Sequence, residues 1–424
     1  MSFKSAMIGD VPMSWQVGDL CFFLDLITYG FTNPMPDSES GPWKVTAKDV
    51  VDGRINYATS RRTTIEAFNT LLTDKSRPRV GDVLLTKDGS IGRVAVVDRE
   101  GICINQSVAL LRPNEKILPH FLKYLLIAPY YQRVMEGDSD GSTIKHIYIT
   151  RVDKMQVAVP SLRAQQAILE IVGTIDGRIN LLRETNATLE AIAKALFKSW
   201  FIDFDPVRAK AEGLEPEGMD AATAALFPDS FEDSGQGVVP SGWKVRKVED
   251  LMEFPYGKAL KATERIDGPV PVYGSGGITG YHNESMVKGP SVIVGRKGTV
   301  GSLYWEDRPF FPIDTVFYVR TDNPLTYCYY LLQTLGLEDM NTDGAVPGLN
   351  RNNAYRLPVV VAATSILEAF DKIVSSLRNK IFSNSQHAET LTQLRDTLLP
   401  RLISGQLRLP EMDASIEAML SEAI

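Results

Sequence analysis

The residues best suited to chemistry lie in two glycine-rich, charged loops, GRKGTVG from Gly295 to Gly301 and TKDGSIG from Thr86 to Gly92. Glycines allow backbone N–H groups to approach a phosphate closely, and Arg296, Lys297 and Lys87 supply charge to neutralise it. Either loop alone reads equally well as a charged hairpin turn. Their recurrence favours a shared binding role. Catalytic constellations do not assemble. GSGGITG (Gly274 to Gly280) carries Thr279 where a dinucleotide-binding frame needs its third glycine. Gly257-Lys258 is followed by alanine, and Met252 stands where a phosphate loop needs its first glycine. The Pro-Pro loop and the Phe-x-Gly-x-Gly loop of an adenine methylase are both missing. Asp203 and Asp205 read as solvated or capping groups at a helix end. The 4 histidines are scattered, and Cys21, Cys103 and Cys328 lie far apart. No spacing resembles a metal site, and neither metal nor cofactor is expected.

The elements that must position these loops occur twice. At a gap-free offset of 202, Ile171-Val172 meets Ile373-Val374, Arg178-Ile179 meets Lys380-Ile381, and Thr188-Leu189 meets Thr390-Leu391. VPMSWQVGDL from Val11 echoes VPSGWKVRKVEDL from Val239, and GDVLLTKDGSIGRVAVV echoes GPSVIVGRKGTVGSLYW. A helix after Pro160 carries the seam Ile168, Val172, Ile175, Ile179, Leu182, Asn186, Leu189, Ala193, Leu196, Trp200, a heptad pattern interrupted by one asparagine. Pro206 is expected to end it. The second carries Phe370, Ile373, Leu377, Ile381, Asn384, Ala388, Leu391, Leu394 and Leu398 and stops near Pro400. Each is roughly 35 residues, hence about 50 Å. The plain reading of either stripe is burial against its own domain, but two matched stripes in one chain favour helices packed on each other. In an antiparallel pair, Asn186 opposite Asn384 sets Val172 against Leu398, Ile179 against Leu391, Leu189 against Ile381 and Trp200 against Phe370. Strands are expected over Asp82–Leu85, Arg93–Val97, Val108–Leu111, Val292–Val294 and Val316–Val319, with helices in PHFLKYLLIAPYYQRVM and TYCYYLLQTLG.

The chain has 424 residues, 44% hydrophobic and 23% charged, which excludes a disordered or fibrous protein. No stretch is long and apolar enough for a membrane span, and MSFKSAMIGD lacks the apolar core of a signal peptide, so a cytoplasmic protein is expected. The net charge of −7 argues against nucleic acid only until it is located. Residues 206–239 hold 2 basic against 7 acidic residues, and the tail from Glu411 holds 4 acids and no base. The remainder has a charge of +2, which permits a local basic face.

PVYGSGGITGYHN, GPSVIVGRKGTVGSLYW and RPFFPIDTVFYV together resemble a target recognition domain of Type I restriction-modification specificity subunits. The helical run from Ser161 to Val207 resembles that family's central spacer, and LRDTLLPRLISGQL its distal one. The first unit, with KDGSIG in place of RKGTVG, matches less closely. The resemblance implies an α+β fold with a pseudo-twofold repeat: two mixed α/β recognition domains joined by two long antiparallel coiled-coil helices. The expected divisions are 1–160, first recognition domain; 161–205, central spacer helix; 206–239, acidic linker; 240–361, second recognition domain; and 362–424, distal helix and acidic tail. It further implies a non-catalytic subunit that binds a bipartite double-stranded DNA target and docks two methylase subunits and nuclease-translocase subunits. Candidate DNA contacts are Arg61, Arg62, Lys87, Ser90, Arg93, Lys145 and His146 in the first unit. In the second they are Lys258, Lys261, Tyr273, Ser275, His282, Arg296, Lys297, Thr299, Asn350, Arg351 and Asn352. The alternative is a coiled-coil scaffold carrying two protein-interaction modules.

Overall fold

The computed structural model describes residues 3–6, 9–139, 145–235, 237–340 and 348–407; the acidic tail from Glu411 lies outside the described residues. The chain divides into two compact units, residues 1–181 with 387–424, and residues 182–386. Each unit therefore takes one globular part together with a portion of each long helix.

In the first unit a four-stranded antiparallel sheet has the order Val94–Val96, Val83–Thr86, Val108–Pro113, Leu24–Tyr29. Val83–Thr86 is buried on both faces. Helix Pro119–Ile127 helps explain this, packing on the sheet with Phe121, Leu122, Leu125 and Leu126 inside. A smaller sheet sets Ser38–Val45 between Ile102–Ile104 (parallel) and Arg61–Arg62 (antiparallel), around Val45, Ile102, Ile104 and Leu110. The expected helical stretch from Pro119 breaks at Ala128, which is extended at ψ 144° before Pro129. Proline disfavours helical geometry in the residue preceding it.

The second unit sets Ser291–Gly295 between Leu303–Glu306 and Val316–Tyr318, all antiparallel. Val270–Gly274 lies between Gly277–His282 and Phe311–Pro312. Its core joins Val292, Val294, Phe317, Tyr327 and Tyr330 to Phe197, Trp200, Phe201 and Phe370 of the long helices. The repeat is visible in a shared closure. Gln16–Asp19 pairs with Gln156–Val159 in one unit, and Lys244–Lys247 with Pro358–Val361 in the other, immediately before each long helix. Trp243 packs on Phe201 and Phe204 at the end of the first long helix. Its counterpart Trp15 meets the end of the second, where a Cβ on Gly405 would lie 2.5 Å from Pro12 and 3.1 Å from Trp15.

The first long helix spans Leu162–Phe201 and the second Thr364–Ile403. In the second unit they run antiparallel, as Trp200 meets Phe370 at 6.0 Å between ring centres and Asn384 Nδ2 donates to Asn186 Oδ1 at 2.9 Å. Asn186 Nδ2 donates in turn to the Ile381 carbonyl and Ser385 Oγ, at 3.1 and 3.0 Å. Ile175, Ile179, Leu182, Leu391 and Leu398 are buried, whereas Leu189, Leu377 and Ile381 are half-buried. Ile373 faces out, and Val374 is buried in its stead, a four-residue step from Phe370. Two helix ends differ from expectation. The first long helix stops at Phe201, and Pro206 instead sits in the first turn of a short helix, Asp205–Ala211. The second continues through Pro400, because Leu398, Leu399, Leu402 and Ile403 are all buried and hold the last turn. Residues 206–239, expected as an acidic linker, also carry packed structure. Val207 and Phe227 are buried, and Phe231–Asp233 pairs with Val238–Pro240.

Candidate nucleic-acid interface

Both charged loops have the same backbone scheme. Arg296 N–H donates to the Thr315 carbonyl and its carbonyl accepts from Leu349 N–H. Lys87 does the same with Ser107 and Ile147. Each loop is thus clamped between a neighbouring strand and the segment preceding a short helix, Arg351–Tyr355 or Ile149–Asp153. The glycines answer to this clamp. Gly92 and Gly301 adopt φ of 83° and 70°, and a Cβ would strike Gln132 or the Leu337–Glu338 backbone. Only glycine fits there without strain.

In the second unit the clamp builds a basic platform. Tyr256, 45% exposed, has the Arg296 guanidinium 4.9 Å and the Arg351 guanidinium 4.8 Å from its ring centre. Arg296 Nη1 also donates to the Asp314 carbonyl at 2.8 Å, so the guanidinium is pre-positioned. Lys297, Thr299, Lys258, Asn350 and Asn352 are exposed, and Asn350 Oδ1 caps the short helix by accepting from Asn352 N–H. Ser275 is half-buried beneath the loop, and its hydroxyl accepts from Thr299 N–H at 3.4 Å. Lys261 is exposed and paired loosely with Glu264 at 3.8 Å. Cation–π contacts leave guanidinium N–H groups at the ring's edge available to an anion.

Three candidate contacts are turned inward instead. The Tyr273 hydroxyl donates to buried Glu306 at 2.9 Å, and burial raises its pKa. His282 is 7% exposed and accepts from Ile266 N–H through Nδ1. Lys87 is 7% exposed, with its ammonium 3.0 Å from Asp88 and 5.2 Å from the Tyr29 ring centre. These polar groups are buried because each finds a partner inside. Lys87 is therefore not the exposed counterpart of Arg296.

The first unit offers a cleft of about 840 Å³ in place of a platform, whose polar lining includes Lys44, Lys48, Asn56, Arg61, Ser90 and Asn105. Arg61 is 78% exposed in its side chain and 3.5 Å from Asp37. Lys44 donates to the Met35 and Pro36 carbonyls and pairs with Asp37, whose carboxyl it holds below the usual range. Asn105 Oδ1 accepts from the Ser107 hydroxyl at 2.6 Å, and among the described residues its amide NH₂ has no protein partner. Of the remaining candidates, Arg62 stacks on Trp43 at 4.3 Å and donates to the Gly41 carbonyl. Arg93 is exposed and reaches the Val50 carbonyl at 3.4 Å. His146 pairs with Asp88, and Lys145 is exposed beside it. Tyr256, Lys48, Asn56 and Asn105 escaped sequence reasoning. Tyr256 alone had a signal, lying two residues before the Lys258 candidate.

The model of the Type I restriction modification DNA specificity domain matches residues 36–191 and 240–356. The chain is 29% identical over 408 residues to the HindI specificity subunit of Haemophilus influenzae, covering 78% of this chain and 88% of that protein. It is 23% identical over 444 residues to the MjaIX specificity subunit of Methanocaldococcus jannaschii, covering 97% of each. In fold it is similar to the crystal structure of a Type I restriction-modification S subunit from M. genitalium, with a TM-score of 0.57, 21% identity, and coverage of 95% and 99% of the two chains. Two matches to one domain model, in the two halves of a repeated chain, place this protein in the family of Type I restriction-modification DNA specificity subunits.

Proposed function

We propose that the chain reads a bipartite double-stranded DNA site, one half through the cleft of the first unit and the other through the basic platform of the second. Specificity subunits are non-catalytic components of Type I systems. The reading extends to docking of two methylase subunits, with nuclease-translocase subunits joining them, in the cytoplasm. Its chief support is that the DNA specificity domain occurs twice and that both copies present a clamped, glycine-turned loop beside exposed polar and cationic groups. Arg61, Lys48, Asn56 and Asn105 are assigned to one half-site; Tyr256, Arg296, Lys297, Arg351 and Thr299 to the other. Arginine suits both phosphate and guanine, and asparagine suits adenine. Family membership disfavours a scaffold that binds only proteins.

Methylome sequencing of a host with and without this gene and its methylase partner is the direct test. A two-part motif with a fixed spacer, appearing only when both genes are present, is expected. A single undivided motif, or none, would overturn the reading. DNA binding whose affinity falls steeply with salt is the corresponding result with purified protein.

A further inference from the structure

Each unit contains a tyrosine–carboxylate–arginine chain that the sequence repeat does not explain. In the first unit Tyr124, on helix Pro119–Ile127, donates to Asp176 Oδ2 at 2.5 Å, and Asp176 Oδ1 accepts from Arg395 Nη1 at 2.9 Å. Asp176 lies on the first long helix and Arg395 on the second. In the second unit Tyr330, on helix Leu325–Leu332, donates to Glu190 Oε2 at 3.1 Å, and the same oxygen accepts from Arg378 Nη1 at 3.0 Å. The tyrosines are equivalent, each followed by Leu-Leu in matching helices. Their partners are not. Both acids lie on the first long helix and both arginines on the second, yet the offset of 202 sets Asp176 against Arg378, so positions equivalent in the repeat carry opposite charges in the two chains of contacts. The same contact is reached from different positions, which argues that the contact itself is required.

All four charged side chains are largely withdrawn from water, at 17% and 25% exposure for Asp176 and Arg395 and 24% and 10% for Glu190 and Arg378. Apolar seams tolerate sliding, whereas charge-assisted hydrogen bonds weaken steeply with angle. The tyrosine hydroxyl therefore gives direction to a junction that packing alone would leave compliant. We propose that Tyr124 and Tyr330 are positioning residues. Each fixes the angle at which its recognition domain is carried on the paired helices, and so narrows the spacing between half-sites that the protein accepts. The inference rests on the function proposed above.

The test is the double variant Tyr124→Phe with Tyr330→Phe, which keeps the rings and removes only the hydroxyls. With the methylase partner, methylation is compared on sites with the preferred spacer and with spacers one base pair shorter or longer. Preference for the native spacer should fall about fivefold, with half-site preference unchanged. An unchanged spacer preference overturns the proposal. A parallel loss of spacer and half-site preference also overturns it, since the hydroxyls would then only support the fold. A wild-type protein that directs no two-part methylation sinks the function instead. The positioning role is then judged without DNA, by the distance distribution between spin labels on Glu100→Cys and Glu170→Cys in a Cys21→Ser background. Tyr124→Phe should broaden that distribution, and an unchanged width overturns the proposal.

Discussion

Arg296 and Lys297 are adjacent, yet their surroundings predict different behaviour. The Arg296 guanidinium is held by Tyr256 and the Asp314 carbonyl, while the Lys297 side chain is exposed. Lys297→Ala should weaken DNA binding and flatten the log–log salt slope by about 0.9, with stability changed by less than about 0.5 kcal/mol. Replacing both residues should flatten the slope by roughly 1 to 2 units. An unaltered slope in a folded double variant would leave the loop as a turn only. The same scale governs the thiols. Burial pushes Cys103 and Cys328 up to about 12, while Cys21 is exposed. Thiolate is the reactive form and is scarce at neutral pH in both buried groups. Titration with a thiol reagent should therefore count one fast group in the native protein and three after unfolding. Three fast groups in the native protein would contradict the burial.

At the level of elements, the paired asparagines set the register of the two long helices in the second unit. Asn384 is 3% exposed and its amide is spent on Asn186. A slipped register would set that amide against hydrocarbon, the cost that makes a seam asparagine specify alignment. Asn384→Ala should cost about 1–3 kcal/mol in urea unfolding, because the Asn186 oxygen loses its donor. Converting both asparagines to leucine should cost less than the sum of the single changes, because neither partner is then stranded. Strict additivity in this cycle would mean that the two amides do not act together.

Across the whole molecule, the proposed function makes the long helices a ruler. Inserting four residues after Thr185 lengthens the first helix by about 6 Å and turns its far end by about 40°. With a rise of roughly 3.4 Å per base pair, the preferred spacer should grow by one or two pairs while both half-sites stay the same. Methylation mapping of the insertion variant reads both properties at once. A folded, active variant with its original spacer would show that helix length does not set the distance.

The sequence by itself determined the repeat, the two long helices, the position of their asparagines and the paired glycine loops. These properties are recorded locally, in heptad spacing, in turn chemistry and in one run of residues echoing another. The strands expected over Asp82–Leu85 and Val316–Val319, and found at Val83–Thr86 and Val316–Tyr318, were legible for the same reason, as short β-prone runs between glycine and proline turns. Tertiary structure alone decided which polar side chains remain available. Lys87, Tyr273 and His282 have the composition of surface contacts, but each meets an interior partner supplied by another residue, and burial follows the partner. The cleft joins Lys48 and Asn56 to Asn105, and the platform joins Tyr256 to Arg351, pairs of segments about 50 to 95 residues apart. The tyrosine–carboxylate–arginine chains span greater separations still and break the repeat's own offset. Helix and strand leave a period in the sequence because neighbouring residues share one surface. Convergence of distant residues leaves none, since only the packed chain brings them within reach of a hydrogen bond.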